Sequence, residues 1–190
     1  MKKICYLITL LVITSCGSAK YSYSLDESLG YKQGKWLLNT VFEKEKHPHI
    51  NEYAESYFMN KIEGTVSTLL EIQNNSAGLM KAIVPFEPSK KQLKEIKKAT
   101  DYHYLINIKT IVISKDLNGF IGNTKYGVSY KKNAVRIEID IYDLNKMQLV
   151  SSNSATAIEE YKLNEEPNWS LARGIIRLKT GALKRLIKRL

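Results

Sequence analysis

The sequence has 190 residues, of which 44% are hydrophobic and 25% are charged, and its formal net charge is +10. This length is enough for one domain of ordinary size. Its two cysteines, Cys5 and Cys16, cannot staple such a domain by several disulfides, so the fold must be held together by a hydrophobic core.

The amino-terminal stretch reads MKKICYLITLLVITSC. Lys2 and Lys3 give a charged start, and the apolar run that follows is shorter than the roughly 20 residues of a membrane-spanning helix. This pattern predicts a secretory signal. Residues 13–16 resemble the lipobox of bacterial lipoproteins, which implies cleavage before Cys16 and acylation of that cysteine. The alternative is an ordinary secretory signal in which Cys16 is incidental.

We therefore expect a signal peptide at 1–15, a lipidated cysteine with a flexible tether at 16–35, and one domain at 36–190. The tether is predicted from its Ser, Tyr and Gly content, although its tyrosines could instead pack on the domain. In well-studied lipoproteins an aspartate after the cysteine marks retention at the inner membrane. Gly17 stands there, so the resemblance implies the outer membrane, and the lack of an acidic run after it favours the periplasmic face.

The first half of the domain is predicted to alternate strands and helices. Apolar, β-prone residues indicate strands at 36–42 and 79–86. Apolar residues at spacings of three and four indicate a helix over 51–72. Ser89 and Gln92 have the spacing of a capping box, which begins a second helix that runs to about residue 99.

The second half is predicted to be a strand, a hairpin and a helix. Residues 102–114 are aromatic and β-branched, and 133–142 alternate apolar and polar side chains, as a strand with one wet face does. A turn at 143–146 leads to a partner strand at 147–161, and a last helix begins near residue 170. The fold class is therefore α+β (mixed α/β). About five strands are covered by two to three helices in the order β-α-β-α-β-β-β-α.

The last helix carries many basic residues and no acidic residue. On a helical projection, Arg173, Arg177, Lys184 and Lys188 form one stripe, and apolar residues form another. The stripe is either a solvated helix face or a contact surface for anionic lipid, cell-wall polymer or an acidic partner. Nucleic acid is a poor candidate because the leader exports the chain.

The sequence shows no catalytic motif for a nucleophilic serine or cysteine, a phosphate-binding loop or a zinc protease. His47 and His49 are weak candidates for metal ligands, since zinc sites need three or four ligands. His103 is expected to be packed or hydrogen-bonded. The acidic residues of the 133–142 strand, Glu138 and Asp140, are expected to form its wet side. We expect no enzyme activity and no cofactor.

The order of elements resembles a family of bacterial envelope modules that includes the TolB amino-terminal domain, LpoB and CsgG. The passage from 98–102 into the strand LINIKTIVI and the hairpin VRIEIDIYDLNKMQLV carry this resemblance. It implies a binding or assembly module in the cell envelope and transfers no catalytic residue.

The leading hypothesis from the sequence is a non-enzymatic lipoprotein, bound to the bilayer through acylated Cys16, that binds a periplasmic protein or the cell wall. The first alternative is a structural lipoprotein whose basic carboxy-terminal helix lies on the membrane surface. The second alternative is a small metal-assisted enzyme that uses His47 and His49.

Overall fold

The helices of the described chain pack against a six-stranded mixed sheet. The structure, a computed structural model, describes residues 19–26, 33–44, 48–75, 84–115, 129–163 and 174–190. The elements within these ranges are β1 (Lys20–Ser24), β2 (Gly34–Leu38), α1 (Pro48–Lys61), β3 (Gly64–Thr68), α2 (Leu69–Asn75), α3 (Lys90–Thr100), β4 (Tyr104–Lys115), β5 (Ser129–Asp143), β6 (Gln148–Leu163) and α4 (Ile175–Ile187). The predicted α+β class is confirmed, with more strands and helices than expected.

The sheet combines an antiparallel half and a parallel half in the strand order β1-β6-β5-β4-β2-β3. β1, β6, β5 and β4 pair antiparallel in that sequence. β4, β2 and β3 pair parallel. The chain after β2 continues beside β4, where the Phe42 amide donates to the Ile108 carbonyl at 2.8 Å and the Thr110 amide donates to the Phe42 carbonyl at 2.8 Å. The sheet therefore brings the amino-terminal β1 beside the hairpin of the second half.

Two hydrophobic clusters lie on opposite faces of the sheet. α1 and α4 cover one face, where Phe58 and Leu183 are fully buried against the alternate residues Ile137 and Ile139 of β5. α2 and α3 contribute to the cluster on the other face, around Leu105. Successive residues of a strand point to opposite faces, which is how β2 and β4 supply both clusters.

Several predicted elements are confirmed with small changes of boundary. β4, β5 and β6 correspond to the predicted strands at 102–114, 133–142 and 147–161, and α4 corresponds to the predicted last helix, whose expected start near residue 170 lies outside the described residues. The capping box begins α3: the Ser89 side chain accepts from the Gln92 amide, and the Gln92 side chain accepts from the Ser89 amide at 2.8 Å. The predicted strand at 79–86 lies mostly outside the described residues, and 84–86 are not in a strand.

The predicted helix over 51–72 is wrong for residues 62–68. α1 keeps its buried stripe, but Gly64–Thr68 forms β3 and a separate short helix follows. β3 pairs in parallel with β2, and Gly64 lies opposite Gly34. A Cβ atom on Gly64 would collide with the Gly34 carbonyl oxygen, so glycine permits this pairing. The β-branched residues that follow Gly64 favour a strand.

The predicted tether at 16–35 is wrong for Lys20–Ser24, which forms β1. Tyr21 and Tyr23 of this strand pack against the core, as the alternative interpretation of the tyrosines proposed. β6 offers small residues, Ala155 and Ala157, opposite this strand. The strand forms because its amides and carbonyls complete the exposed edge of β6.

Candidate functional site

The start of β1 is the point where the described domain meets the predicted anchor. Lys20 is four residues after Cys16 in the sequence, and Cys16 itself lies outside the described residues. Ala19 is already buried in the core. At the other end of β1, the Ser152 amide donates to the Asp26 carboxylate at 2.7 Å. The strand is thus fixed at both of its ends.

Arg185 of α4 and Arg189, two residues beyond its end, hold that helix against β1. The Arg185 guanidinium carbon lies 4.3 Å from the ring centroid of Tyr21, and that of Arg189 lies 4.1 Å from the ring centroid of Tyr23. A Cβ atom on Gly181 would lie 2.6 Å from the Tyr21 hydroxyl, so the glycine makes room for this ring. Each cation–aromatic contact is worth about 0.5–1 kcal/mol at an exposed site. These contacts join β1, near the start of the sequence, to the region of α4, near its end.

The predicted basic stripe is only partly a free surface. Arg177 of α4 and Lys188, which follows the last residue of α4, are exposed. Lys184 is exposed too, but its ammonium nitrogen lies 4.8 Å from the ring centroid of Tyr53 of α1. Arg173 lies outside the described residues.

A buried ion pair under α4 is a feature that sequence reasoning missed. The Lys179 ammonium lies 3.0 Å from a carboxylate oxygen of Glu43, and their side chains are 2% and 1% exposed. The Thr110 hydroxyl also donates to Glu43 at 3.3 Å. Position 179 is four residues after Ile175 and four before Leu183, both on the apolar side of the helix. That spacing is the signal that could have identified a buried lysine.

The face of β4 and β5 opposite α4 carries a row of charged side chains. Arg136 Nε lies 2.9 Å from a carboxylate oxygen of Glu138, and Lys109 Nζ lies 3.8 Å from the other oxygen. The Lys109 ammonium also lies 4.9 Å from the ring centroid of Phe86. These residues form the wet side that the alternation predicts.

Asp140 departs from this wet side, because it is buried at 6% exposure. It accepts a hydrogen bond from the Ser152 hydroxyl at 2.7 Å. Burial raises the pKa of the Asp140 carboxyl above its usual range, since removal from water disfavours the charged form. Burial and the nearby Asp140 charge also raise the pKa of the Tyr142 hydroxyl, which donates to the Phe86 carbonyl at 3.2 Å.

A cleft of about 650 Å³ opens where β2 and β3 end. Its volume lies within the roughly 300–1,000 Å³ of small-molecule sites. The buried side-chain amide of Asn39 lies at its rim. The Asn39 amide nitrogen donates to the Val84 carbonyl at 3.2 Å and to the Asn107 side-chain oxygen at 3.1 Å. The lining residues are Asn39, Thr40, Val41, Phe42, Glu43, Lys44, Leu69, Leu70, Gln73, Val84, Lys109 and Thr110. The lining thus combines five apolar residues with seven polar or charged residues.

The histidine pair does not form a described metal site. His47 lies outside the described residues, and His49 is exposed with its ring nitrogen Nδ1 3.2 Å from Glu52. In the ranges that the structure describes, no three His, Cys, Asp or Glu residues are grouped to hold a metal. The Lys35 amide donates to His103 Nδ1 at 3.3 Å, so His103 is hydrogen-bonded, as expected.

The described helices are too short or too polar to cross a membrane.

No protein-family model and no curated protein matches the sequence. Among solved structures, the chain is similar to the PelC dodecamer of Paraburkholderia phytofirmans, at 12% identity and a TM-score of 0.42, over 91% of this chain and 98% of that chain. It is similar to the LpoB carboxy-terminal domain of Escherichia coli, at 10% identity and 0.39, over 68% and 85%. It is also similar to a lipoprotein of Neisseria meningitidis, at 12% identity and 0.38, over 82% and 99%.

LpoB, which the sequence pattern resembles, is thus among the similar structures.

Proposed function

We propose that this chain is a non-enzymatic lipoprotein of the bacterial outer membrane, anchored through acylated Cys16 on the periplasmic face. Its domain binds an envelope partner, a protein or the cell wall. The observation that carries the proposal is the position of the lipobox-like stretch, which ends four residues before the first strand of a folded domain.

The short connection supports a role close to the membrane. Four residues from Cys16 to Lys20 can span at most about 14 Å. A domain held at that distance meets partners that lie in or directly beneath the bilayer. This differs from a long flexible tether, which would let the domain explore the periplasm.

The cleft at the ends of β2 and β3 is the surface that we assign to the partner. Leu70, at 56% exposure, offers apolar area at its rim, and Lys109 offers a positive charge. Apolar area supplies affinity and the charge selects the partner.

The anchor is tested by intact mass and membrane fractionation of the native protein beside a Cys16→Ala variant. We expect cleavage before Cys16, a mass increase of acyl chains, and recovery in the outer membrane. The Cys16→Ala protein should lack the acyl mass and leave that fraction. An unacylated, soluble native protein would overturn the proposal.

The partner surface is tested by crosslinking in intact envelopes with Leu70→Asp and, as a matched control, Leu149→Asp. Leu149 is 47% exposed and is not part of the cleft lining. We expect a specific crosslinked species with the native protein and the control, and its loss with Leu70→Asp. Equal crosslinking by all three proteins would remove the cleft from the proposal.

A second candidate function, a structural lipoprotein with α4 lying along the membrane surface, is favoured by the exposure of Arg177 and Lys188. It requires the exposed side of α4 to face the lipid. The Lys184→Glu, Lys188→Glu double variant should then crosslink less to lipid headgroups than the native protein does. Unchanged lipid contact would exclude this candidate.

A further inference from the structure

The cleft lies where the chain leaves two neighbouring parallel strands toward opposite faces of the sheet. β2 and β3 pair in parallel, so their carboxyl ends lie at the same edge. The chain after β2 leads to α1, which packs in the cluster around Phe58. The chain after β3 leads directly to α2, whose Leu69 belongs to the cluster on the opposite face. In open α/β sheets, ligands bind in the crevice that such diverging connections leave.

The cleft opens because β3 ends before the neighbouring chain does. Thr68, the last residue of β3, pairs with Leu38 of β2. The chain beyond Leu38 continues beside β4 as far as Phe42, which forms a bridge to Lys109. Within the described ranges, no strand of the sheet lies on the other side of residues 39–44. The space that a longer β3 would fill is therefore open to a ligand.

Two backbone amides beside this space already have hydrogen-bond partners. The Thr40 amide donates to the Asn39 side-chain oxygen at 2.9 Å, and the Val41 amide donates to the Asn51 side-chain oxygen at 2.7 Å. A peptide that added a strand here would need such amides to bind its carbonyl oxygens. The arrangement therefore disfavours a peptide strand as the occupant.

The start of α2 is also occupied by its own side chains. The Thr68 amide donates to a Glu71 carboxylate oxygen at 3.0 Å, and the Glu71 amide donates to the Thr68 hydroxyl at 3.2 Å. This is a capping box. Nucleotide sites bind phosphate through unoccupied amides at a helix start. The cleft therefore lacks the arrangement that a phosphate group requires at α2.

Lys44 is the cation of the described lining that remains available to a ligand. The Lys109 ammonium lies 3.8 Å from a Glu138 carboxylate oxygen. The Glu43 carboxylate lies 3.0 Å from the Lys179 ammonium, which balances its charge. Lys44 is exposed, and it has no ion-pair partner among the residues that the structure describes. The lining is therefore complementary to one negative charge.

The exposed apolar area of the cleft lies mainly on Leu70. Leu70 is 56% exposed and Phe42 is half-buried. Val41, Leu69 and Val84 also line the cleft, but they are at most 6% exposed. Covering Leu70 with an apolar ligand is favourable because it removes hydrocarbon from water.

We infer that the cleft binds a small amphipathic carboxylate of the fatty-acid class, with its acyl chain on Leu70 and Phe42 and its carboxylate at Lys44. Such a ligand matches the lining, because it needs apolar area and one cation and does not need further hydrogen-bond donors. The inference goes beyond the proposed function and does not depend on acylation of Cys16. The ligand competes with the proposed envelope partner, because both use Leu70.

The test is calorimetric titration of the full chain with octanoate, 1-octanol and octylamine. The protein is held in lipid nanodiscs, or in buffer if its intact mass shows no acyl chain, and empty nanodiscs give the heat of partition into lipid. Leu70→Asp removes apolar area and repels a carboxylate. Its control is Leu149→Asp, at a position that is 47% exposed and outside the lining. Lys44→Gln removes the cation, and Lys188→Gln removes an equal charge outside the lining.

We expect octanoate to bind more tightly than octylamine. Leu70→Asp should weaken octanoate binding about tenfold. Lys44→Gln should weaken octanoate binding about two- to fivefold and leave 1-octanol binding unchanged. The two control variants should bind both ligands as the native protein does.

Three results would overturn the inference: no octanoate binding, equal octanoate affinity in the native protein and Leu70→Asp, or equal effects of Lys44→Gln and Lys188→Gln. Each would leave the proposed function standing, since crosslinking to an envelope partner is measured separately. Octanoate binding that follows the expected pattern, in a protein whose crosslinking is unchanged by Leu70→Asp, would support the ligand and remove the partner from the cleft.

Discussion

The two faces of the sheet bury their carboxylates in different ways. On the face under α4, Glu43 lies 3.0 Å from the Lys179 ammonium, and both side chains are almost fully buried. On the opposite face, Asp140 is buried and accepts a hydrogen bond from the Ser152 hydroxyl. A neighbouring cation favours the charged form of a carboxylate, whereas burial disfavours the charged form of Asp140 despite its hydrogen bond from Ser152. The position of a charge in the sequence therefore says less about its energetic role than the partner that the fold brings to it.

The largest expected effect comes from breaking the buried pair. Lys179→Met leaves the Glu43 carboxylate buried without its cation, which should lower the free energy of unfolding by about 3–5 kcal/mol. Urea denaturation at neutral pH measures the loss. The double variant Glu43→Leu, Lys179→Met removes both charges and should recover most of the stability. A loss below about 1 kcal/mol in the single variant would show that the pair is not a buried unit.

Asp140→Asn should instead raise the free energy of unfolding. Burial raises the folded-state pKa of the Asp140 carboxyl above its ordinary value of 3.8, so the folded protein binds the proton more tightly than the unfolded chain. The ionised carboxylate therefore costs stability, and the cost develops as pH rises from the ordinary value through the raised value. Asparagine can still accept from Ser152, so the variant should be more stable at pH 7 by about 1 kcal/mol.

That gain should disappear as pH falls below the ordinary carboxyl value, because the native Asp140 is then protonated in both states. Thermal denaturation at neutral and acidic pH measures this dependence. Ser152→Ala is the control, since it removes the hydrogen bond and leaves the carboxyl in place. Equal destabilisation by Asp140→Asn at every pH would show that the charged form is favoured in the fold.

Where local pattern and tertiary contacts agree, the sequence was sufficient to predict the fold. The alternation of β5 and the capping box of α3 are local signals, and the structure confirms both. Residues 64–68 could not be assigned in this way. The helical spacing of apolar residues resumes after them at Leu69 and Ile72, with Thr65 filling the gap, so the pattern predicts one continuous helix. The strand exists because Gly64 can approach Gly34 closely. That approach depends on a residue 30 positions away, which no local period encodes.

For the candidate surfaces too, the sequence predicts the local features and does not predict the tertiary contacts. The basic character of α4 follows from the sequence, but only the structure distinguishes the buried Lys179 from the exposed Lys188. β1 was missed because five residues with tyrosines at alternate positions form a strand only when β6 offers an edge. The contact between Tyr21 and Arg185 joins residues from opposite ends of the chain, and neither has a local signal for it.

The smallest expected effects compare one exposed arginine from each face. Arg185→Ala removes a guanidinium from the Tyr21 ring and should cost about 0.5–1 kcal/mol of unfolding free energy. Arg136→Ala removes a pair with Glu138 in which the side chains are 46% and 21% exposed, and should cost about 0.2–0.5 kcal/mol.

Urea denaturation at low and high salt distinguishes the contribution of Arg185 from that of Arg136. The cost of Arg136→Ala should vanish at about 1 M salt, where charges are screened beyond roughly 3 Å, because that pair faces solvent. The cost of Arg185→Ala should persist in part, since the arginine also packs its apolar stem against the aromatic ring of β1. Equal salt dependence of the two variants would mean that Arg185 acts as an ordinary surface charge and does not hold α4 to the first strand.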